Sequence, residues 1–143
     1  MNKAINTHQI LGSLVKEDFQ LPVMALDYST LLNNCSWMQQ YANLAGVKLA
    51  PHGKTSMCPE LFKMQLDHGA WGMTLANPYQ VKVAYDCGVR KILMANQLVG
   101  KRNIESIIEL LEMDSEFEFY CLVDNQKNID DLNKQAVRLN SAF

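Results

Sequence analysis

One short run in the 143-residue chain concentrates reactive side chains: Pro51-His52-Gly53-Lys54-Thr55-Ser56. Lys54 offers a primary amine, and an amine withdrawn from water can lose its proton and condense with a carbonyl. It is the candidate covalent nucleophile of the chain. His52, two positions earlier, can orient a ligand or exchange a proton near neutral pH. Three further segments hold polar groups just after apolar runs: Ala76-Asn77, Asn96-Gln97 and Asp124-Asn125. Asn77, Asp124 and Asn125 are also good helix N-caps, whereas Asn96-Gln97 follows a buried-type run with no helix directly behind it. Taken alone these residues have plain readings. A lysine in a Gly-containing loop is far more often a solvated charge than a nucleophile, and a lone histidine is more often a surface or backbone-bonded side chain.

What would raise them above that is a fold that gathers them at one place. From Val23 onward, short strand-like runs alternate with amphipathic helices. A first helix follows Asp27-Tyr28-Ser29, carries Leu31, Cys35, Met38, Ala42 and Ala45 on a face expected to be buried, and stops at Gly46. Val47–Ala50 reads as a strand closed by Pro51, which has no N–H to donate. A second helix begins near Pro59 and ends at Gly69, before a strand over Trp71–Leu75. Asn77-Pro78 opens a third helix that ends at Gly88, and Ile92–Ala95 is the next strand. A fourth helix places Ile104, Ile107, Ile108 and Leu111 on one stripe; the strand Phe117–Val123 and a helix marked by Ile129, Leu132, Ala136 and Leu139 follow.

Strand-helix units in series predict an α/β fold with a parallel sheet, either doubly wound or a (β/α)8 barrel. No G-x-G-x-x-G follows a strand. In both architectures ligands bind beyond the C-terminal ends of the strands, where all four polar segments fall. A complete barrel takes about 250 residues, so four units amount to about half of one.

Composition narrows the partners. Thirteen basic and 15 acidic side chains give a net charge of −2 with no block of one sign, which argues against nucleic acid and anionic membrane surfaces. No apolar run is long enough for a signal peptide or a membrane span, and the expected compartment is the cytoplasm. Cys35, Cys58, Cys87 and Cys121 show no metal-finger spacing and read as reduced core thiols. Trp37, Trp71, Phe119 and the methionines read as core filling.

The residues also resemble a known family, the D-threonine aldolase and D-serine dehydratase group of alanine-racemase-like, fold-type III enzymes that use pyridoxal 5'-phosphate (PLP). Leu21-Pro22-Val23-Met24-Ala25-Leu26-Asp27 is similar to the family's opening strand, and Pro51-His52-Gly53-Lys54-Thr55 to its P-H-x-K-T signature. The stretches Gly69-Ala70-Trp71-Gly72-Met73-Thr74 and Gly88-Val89-Arg90-Lys91-Ile92-Leu93-Met94-Ala95-Asn96-Gln97 resemble the group in order and spacing. The wording around Lys54 and the M-A-N-Q-L-V-G run look most like bacterial D-amino-acid deaminases.

The resemblance implies a lead segment over 1–20 and, over 21–143, the N-terminal half of a PLP-binding (β/α)8 barrel without the C-terminal β-domain. It implies a lyase acting on D-hydroxy-amino acids, by D-serine or D-threonine deamination or by aldol cleavage, through a Schiff base at Lys54, with His52 and Gln97 in orienting or hydrogen-bonding roles. It implies PLP bound covalently to Lys54, a small D-amino acid as partner, and a homodimer at full length. Most phosphate-binding loops and the ligands of any divalent metal would lie outside this chain. A PLP-binding racemase-like or carrier protein and an inactive fragment remain the alternative readings.

Overall fold

A computed structural model describes residues 12–14 and 16–139. Its helices begin where the sequence supplies caps. Asp27 Oδ1 accepts from the Thr30 amide at 2.6 Å, and helix α1 spans Tyr28–Leu44. Pro59 sets the first turn of α2, Pro59–Asp67, since its fixed φ suits a position whose N–H is unused. Strand β1, Met73–Leu75, leads to α3, Pro78–Asp86, capped by Asn77 Oδ1 on the Gln80 amide at 3.0 Å. Strand β2 (Lys91–Gln97), α4 (Lys101–Met113), β3 (Glu118–Leu122) and α5 (Gln126–Leu139) complete the described chain.

The three strands form a parallel sheet in the order β1-β2-β3. Register aligns Thr74 with Leu93 and Leu93 with Tyr120, so these share one face of the sheet. On the other face Met73, Leu75, Ile92 and Met94 are wholly buried, under a helix layer to which Phe62, Val81, Ile104, Ile107 and Ile108 contribute. The opposite face is open: Tyr120 is 46% exposed and Leu122 47%. The alternating α/β reading holds, as do all five helices.

Four details differ from expectation. Val47–Ala50 is not a ladder strand. The segment through Gly53 instead runs along β1 by separate bonds, Trp71 N–H to Leu49 O at 2.7 Å, Thr74 N–H to Pro51 O at 2.8 Å and Gly53 N–H to Thr74 O at 2.9 Å, with one parallel bridge, His52 to Thr74. Pro51 turns its carbonyl to β1 but has no N–H to return the bond, and this interrupts the ladder. Leu21–Asp27 makes no strand, because no neighbouring strand among the described residues pairs with it; Leu21 and Met24 are 63% and 86% exposed. The α1 face is only partly covered, by α2: Ala42 is buried, whereas Trp37 stands exposed, its ring stacked 5.8 Å from that of Tyr41. Finally, the cysteines are free thiols but none is fully buried, and Cys87, just after the last turn of α3, is exposed. Residues 1–11 and 15 of the lead segment lie outside the described residues.

Candidate functional site

The bond from Gly53 to Thr74 carries the chain to the C-terminal end of β1 and leaves Lys54 in the turn that follows. Gly53 is buried, and a Cβ there would stand 2.7 Å from Phe62 Cζ and nearer still to Cε1. Only glycine lets the backbone lie so close to the helix layer. The turn closes through the Met57 N–H on the Gly53 carbonyl at 3.0 Å, with Met57 held at φ 42°. A non-glycine residue in that left-handed region stores strain, as residues in functional loops commonly do.

Gln80 fixes the loop from the other side. Its Nε2 donates to the Lys54 carbonyl at 3.4 Å while its Oε1 accepts from the Ala76 amide at 2.9 Å. Sequence reasoning passed over this residue, although Asn77-x-x-Gln80 has the capping-box spacing that aims a glutamine back over a helix start.

The remaining strand ends are laced in the same way. Asn96 Nδ2 reaches the Ala76 carbonyl at 3.5 Å, and Gln97 Nε2 donates to Asp124 Oδ2 at 2.8 Å. Asp124 Oδ1 accepts from Asn125 Nδ2 at 2.6 Å, and Asn125 Oδ1 caps the Asn128 amide at 2.9 Å. Asn128, buried and also missed from the sequence, donates through Nδ2 to the Leu98 carbonyl at 3.0 Å, while its Oδ1 has no partner among the described residues.

The predicted residues therefore meet at one edge of the sheet but not all at one point. His52 and Lys54 flank Gly53; His52 is exposed and its ring makes no hydrogen bond among the described residues. Gln97 ends β2, with its amide committed to Asp124 and no hydrogen bond to Lys54 among the described residues. The lysines themselves differ. Among the described residues only Lys54 and Lys91 are half-buried. Lys91 is held by Glu118 at 2.6 Å, and that hydrogen bond raises its pKa. Lys54 Nζ has neither an ion pair nor a hydrogen bond among the described residues. A groove of about 230 Å³ between α1, α2 and the segment at 49–51 touches none of the three predicted residues.

Among the described residues no group of three His, Cys, Asp or Glu is placed to hold a metal ion, and no helix is long and apolar enough to cross a membrane.

No family model matches the chain. A D-threonine aldolase of Arthrobacter sp is 26% identical over 117 residues, covering 82% of this chain and 30% of the aldolase. The crystal structure of D-threonine aldolase from Filomicrobium marinum superposes with a TM-score of 0.79 at 25% identity, covering 86% of this chain and 32% of that one. Over this portion the chain is similar in sequence and fold to D-threonine aldolases. D-threo-3-hydroxyaspartate dehydratase from Delftia sp. HT23 shares the fold, with a TM-score of 0.79 at 22% identity over 88% of this chain and 32% of its own. So does an alanine-racemase-like protein of Idiomarina loihiensis, at a TM-score of 0.72 and 19% identity over 86% of this chain and 33% of its own. The barrel reading is thereby chosen over the doubly wound sheet. The chain spans about a third of the length of these relatives, as an N-terminal portion of the barrel would.

Proposed function

We propose that this chain carries the cofactor lysine of a PLP-dependent lyase that acts on D-hydroxy-amino acids, by deamination of D-serine or D-threonine or by aldol cleavage. One observation carries the reading: among the described residues Lys54 is the half-buried lysine without a carboxylate partner, at the C-terminal edge of a parallel sheet where barrel enzymes place their chemistry. That donor set fits the aldehyde of PLP, which needs an amine not already committed to an ion pair. Lys54 would hold the group covalently through Nζ, with His52 and Gln97 as hydrogen-bonding neighbours. When bound, PLP supplies an electron sink for negative charge developing at the substrate Cα.

The chain's own residues have defined tasks around it. Gly53 and Gln80 fix the backbone on both sides of Lys54, so that Nζ swings from one anchored turn. Once a substrate amine has displaced it from the cofactor, the Lys54 amine would be the natural base for the Cα proton. Asp124 holds the Gln97 amide by its Nε2 and so leaves Oε1 to accept from a ligand. A small D-amino acid is the partner, the cytoplasm the compartment and a homodimer the full-length assembly in this reading.

The test adds PLP and then D-serine or D-threonine to the full-length protein that carries this chain and follows the visible absorbance of PLP. The D-enantiomers are expected to change it and the L-enantiomers not, with the response absent from Lys54→Ala. A response that ignores stereochemistry, or survives in Lys54→Ala, overturns the proposal.

A further inference from the structure

Strand β2 is not regular to its end. Its register with β3 runs in step as far as Met94 and Cys121, then breaks, and Gln97 takes the place opposite Leu122 that Ala95 would otherwise hold. Leu122 has the parity of Tyr120, so the irregularity delivers Gln97 to the open face of the sheet at its C-terminal rim. Its backbone is fixed on both sides. Asn96 Oδ1 accepts from the Gln97 amide at 3.1 Å, and wholly buried Leu98 has its carbonyl bonded by Asn128 Nδ2 at 3.0 Å. The side chain is fixed as well, by Asp124 Oδ2 at 2.8 Å. A carboxylate offers only acceptors, so the amide must turn Nε2 towards Asp124 and carry Oε1 on its other side. Asp124 is itself held by Asn125, whose Oδ1 caps α5. Side chains locked by supporting hydrogen bonds are what selective sites are built from.

We infer that Gln97 and Asp124 set the substrate class of the Lys54 site: D-3-hydroxy-amino acids whose β-carbon carries a neutral group, in preference to those with a second carboxylate. The inference rests on the lyase reading above. Strand β2 lies two strand spacings, about 10 Å, from the segment that leads to Lys54, a span that a cofactor and a small amino acid together can bridge. An amino acid engaged through its amine keeps one other donor, the β-hydroxyl, and Gln97 Oε1 is the acceptor for it. A carboxylate on the β-carbon would meet that same oxygen and the Asp124 carboxylate behind it, with no proton to offer to either. Specificity of this kind comes from the repulsion as much as from the attraction.

The test measures kcat/KM of the full-length protein that carries this chain for D-threonine and for D-threo-3-hydroxyaspartate, which present a methyl group and a carboxylate at the same place. The parent is expected to prefer D-threonine at least about tenfold. Asp124→Asn removes the charge and can donate to Gln97 Oε1, which frees the amide to turn Nε2 towards the substrate. The preference should then shift towards the dicarboxylate at least about tenfold. Gln97→Met keeps the length of the side chain without the acceptor, and should lower kcat/KM for D-threonine about tenfold while the PLP absorbance stays that of the parent. A parent that prefers the dicarboxylate, a ratio unmoved by Asp124→Asn, or D-threonine turnover unchanged in Gln97→Met overturns the inference and leaves the lysine reading intact. A parent whose PLP absorbance responds to neither amino acid overturns the lyase reading, and this inference with it.

Discussion

Replacing Gly53 with alanine probes the seat of Lys54 without touching the amine. The added Cβ would stand 2.7 Å from Phe62 Cζ and 3.2 Å from Leu75 Cδ2. Ordinary carbon contacts begin near 3.5 Å, so the ring must retreat by about 1 Å. It has nowhere to go, because Phe62 is 1% exposed and Leu75 is 0%. Overpacking of this kind costs about 1–3 kcal/mol, and rigid neighbours place Gly53→Ala near the upper figure. With a urea slope of about 1–3 kcal/mol per molar for a small domain, a loss of about 3 kcal/mol lowers the unfolding midpoint by about 1–3 M. Shortening the neighbour should relieve the clash: Gly53→Ala with Phe62→Leu is expected to lose less than the sum of the two single changes, by about 0.5–3 kcal/mol. The assay is urea unfolding followed by circular dichroism on all four proteins. An unchanged midpoint in Gly53→Ala, or strict additivity in the double variant, would refute the claim that close packing at Gly53 positions the lysine turn.

Further outcomes follow from the same contacts. Asn77→Ala removes the cap on α3 and should cost about 1 kcal/mol by thermal unfolding, with Asn77→Ser close to the parent; equal losses in both would argue against the cap. Glu118 has its carboxyl held below the usual value, first by the Lys91 hydrogen bond and then by that of Tyr120. A lowered folded pKa means that this stabilisation is complete above the ordinary glutamate value of 4.5 and fades as the pH falls below it. Glu118→Gln should therefore narrow the stability difference between about pH 7 and about pH 3, and a gap as wide as the parent's would contradict the assignment.

The elements were largely readable because their signals are local. Asp27, Pro59 and Asn77-Pro78 mark helix starts by chemistry confined to a few residues, and Ile104, Ile107 and Ile108 mark a face by period alone. Pairing is not local. Val47–Ala50 has the composition of a strand, yet whether it joins a ladder depends on Pro51 facing β1, which no periodicity reveals. Trp37 was read as core because large aromatics usually are; its exposure reflects which elements stand beside α1, information that lies elsewhere in the fold. The site divides along the same line. Lys54 and His52 stood out by residue type and by motif. Gln80, Asp124 and Asn128 act through partners 26, 27 and 30 positions away in sequence, and a polar residue at a helix start reads first as a cap. The Gln97 amide could be assigned to a strand end, but its commitment to Asp124 became visible only in three dimensions.

The central claim is that Lys54 is the lysine that holds PLP, and reductive trapping addresses it most directly. The full-length protein that carries this chain is exposed to a limiting amount of PLP, reduced with borohydride, digested and mapped by mass spectrometry. Lys54 should carry the label in clear preference to half-buried Lys91 and to exposed Lys48 and Lys63. Labelling of Lys54 no greater than that of the exposed lysines, or preferential labelling of any other lysine, would contradict the account.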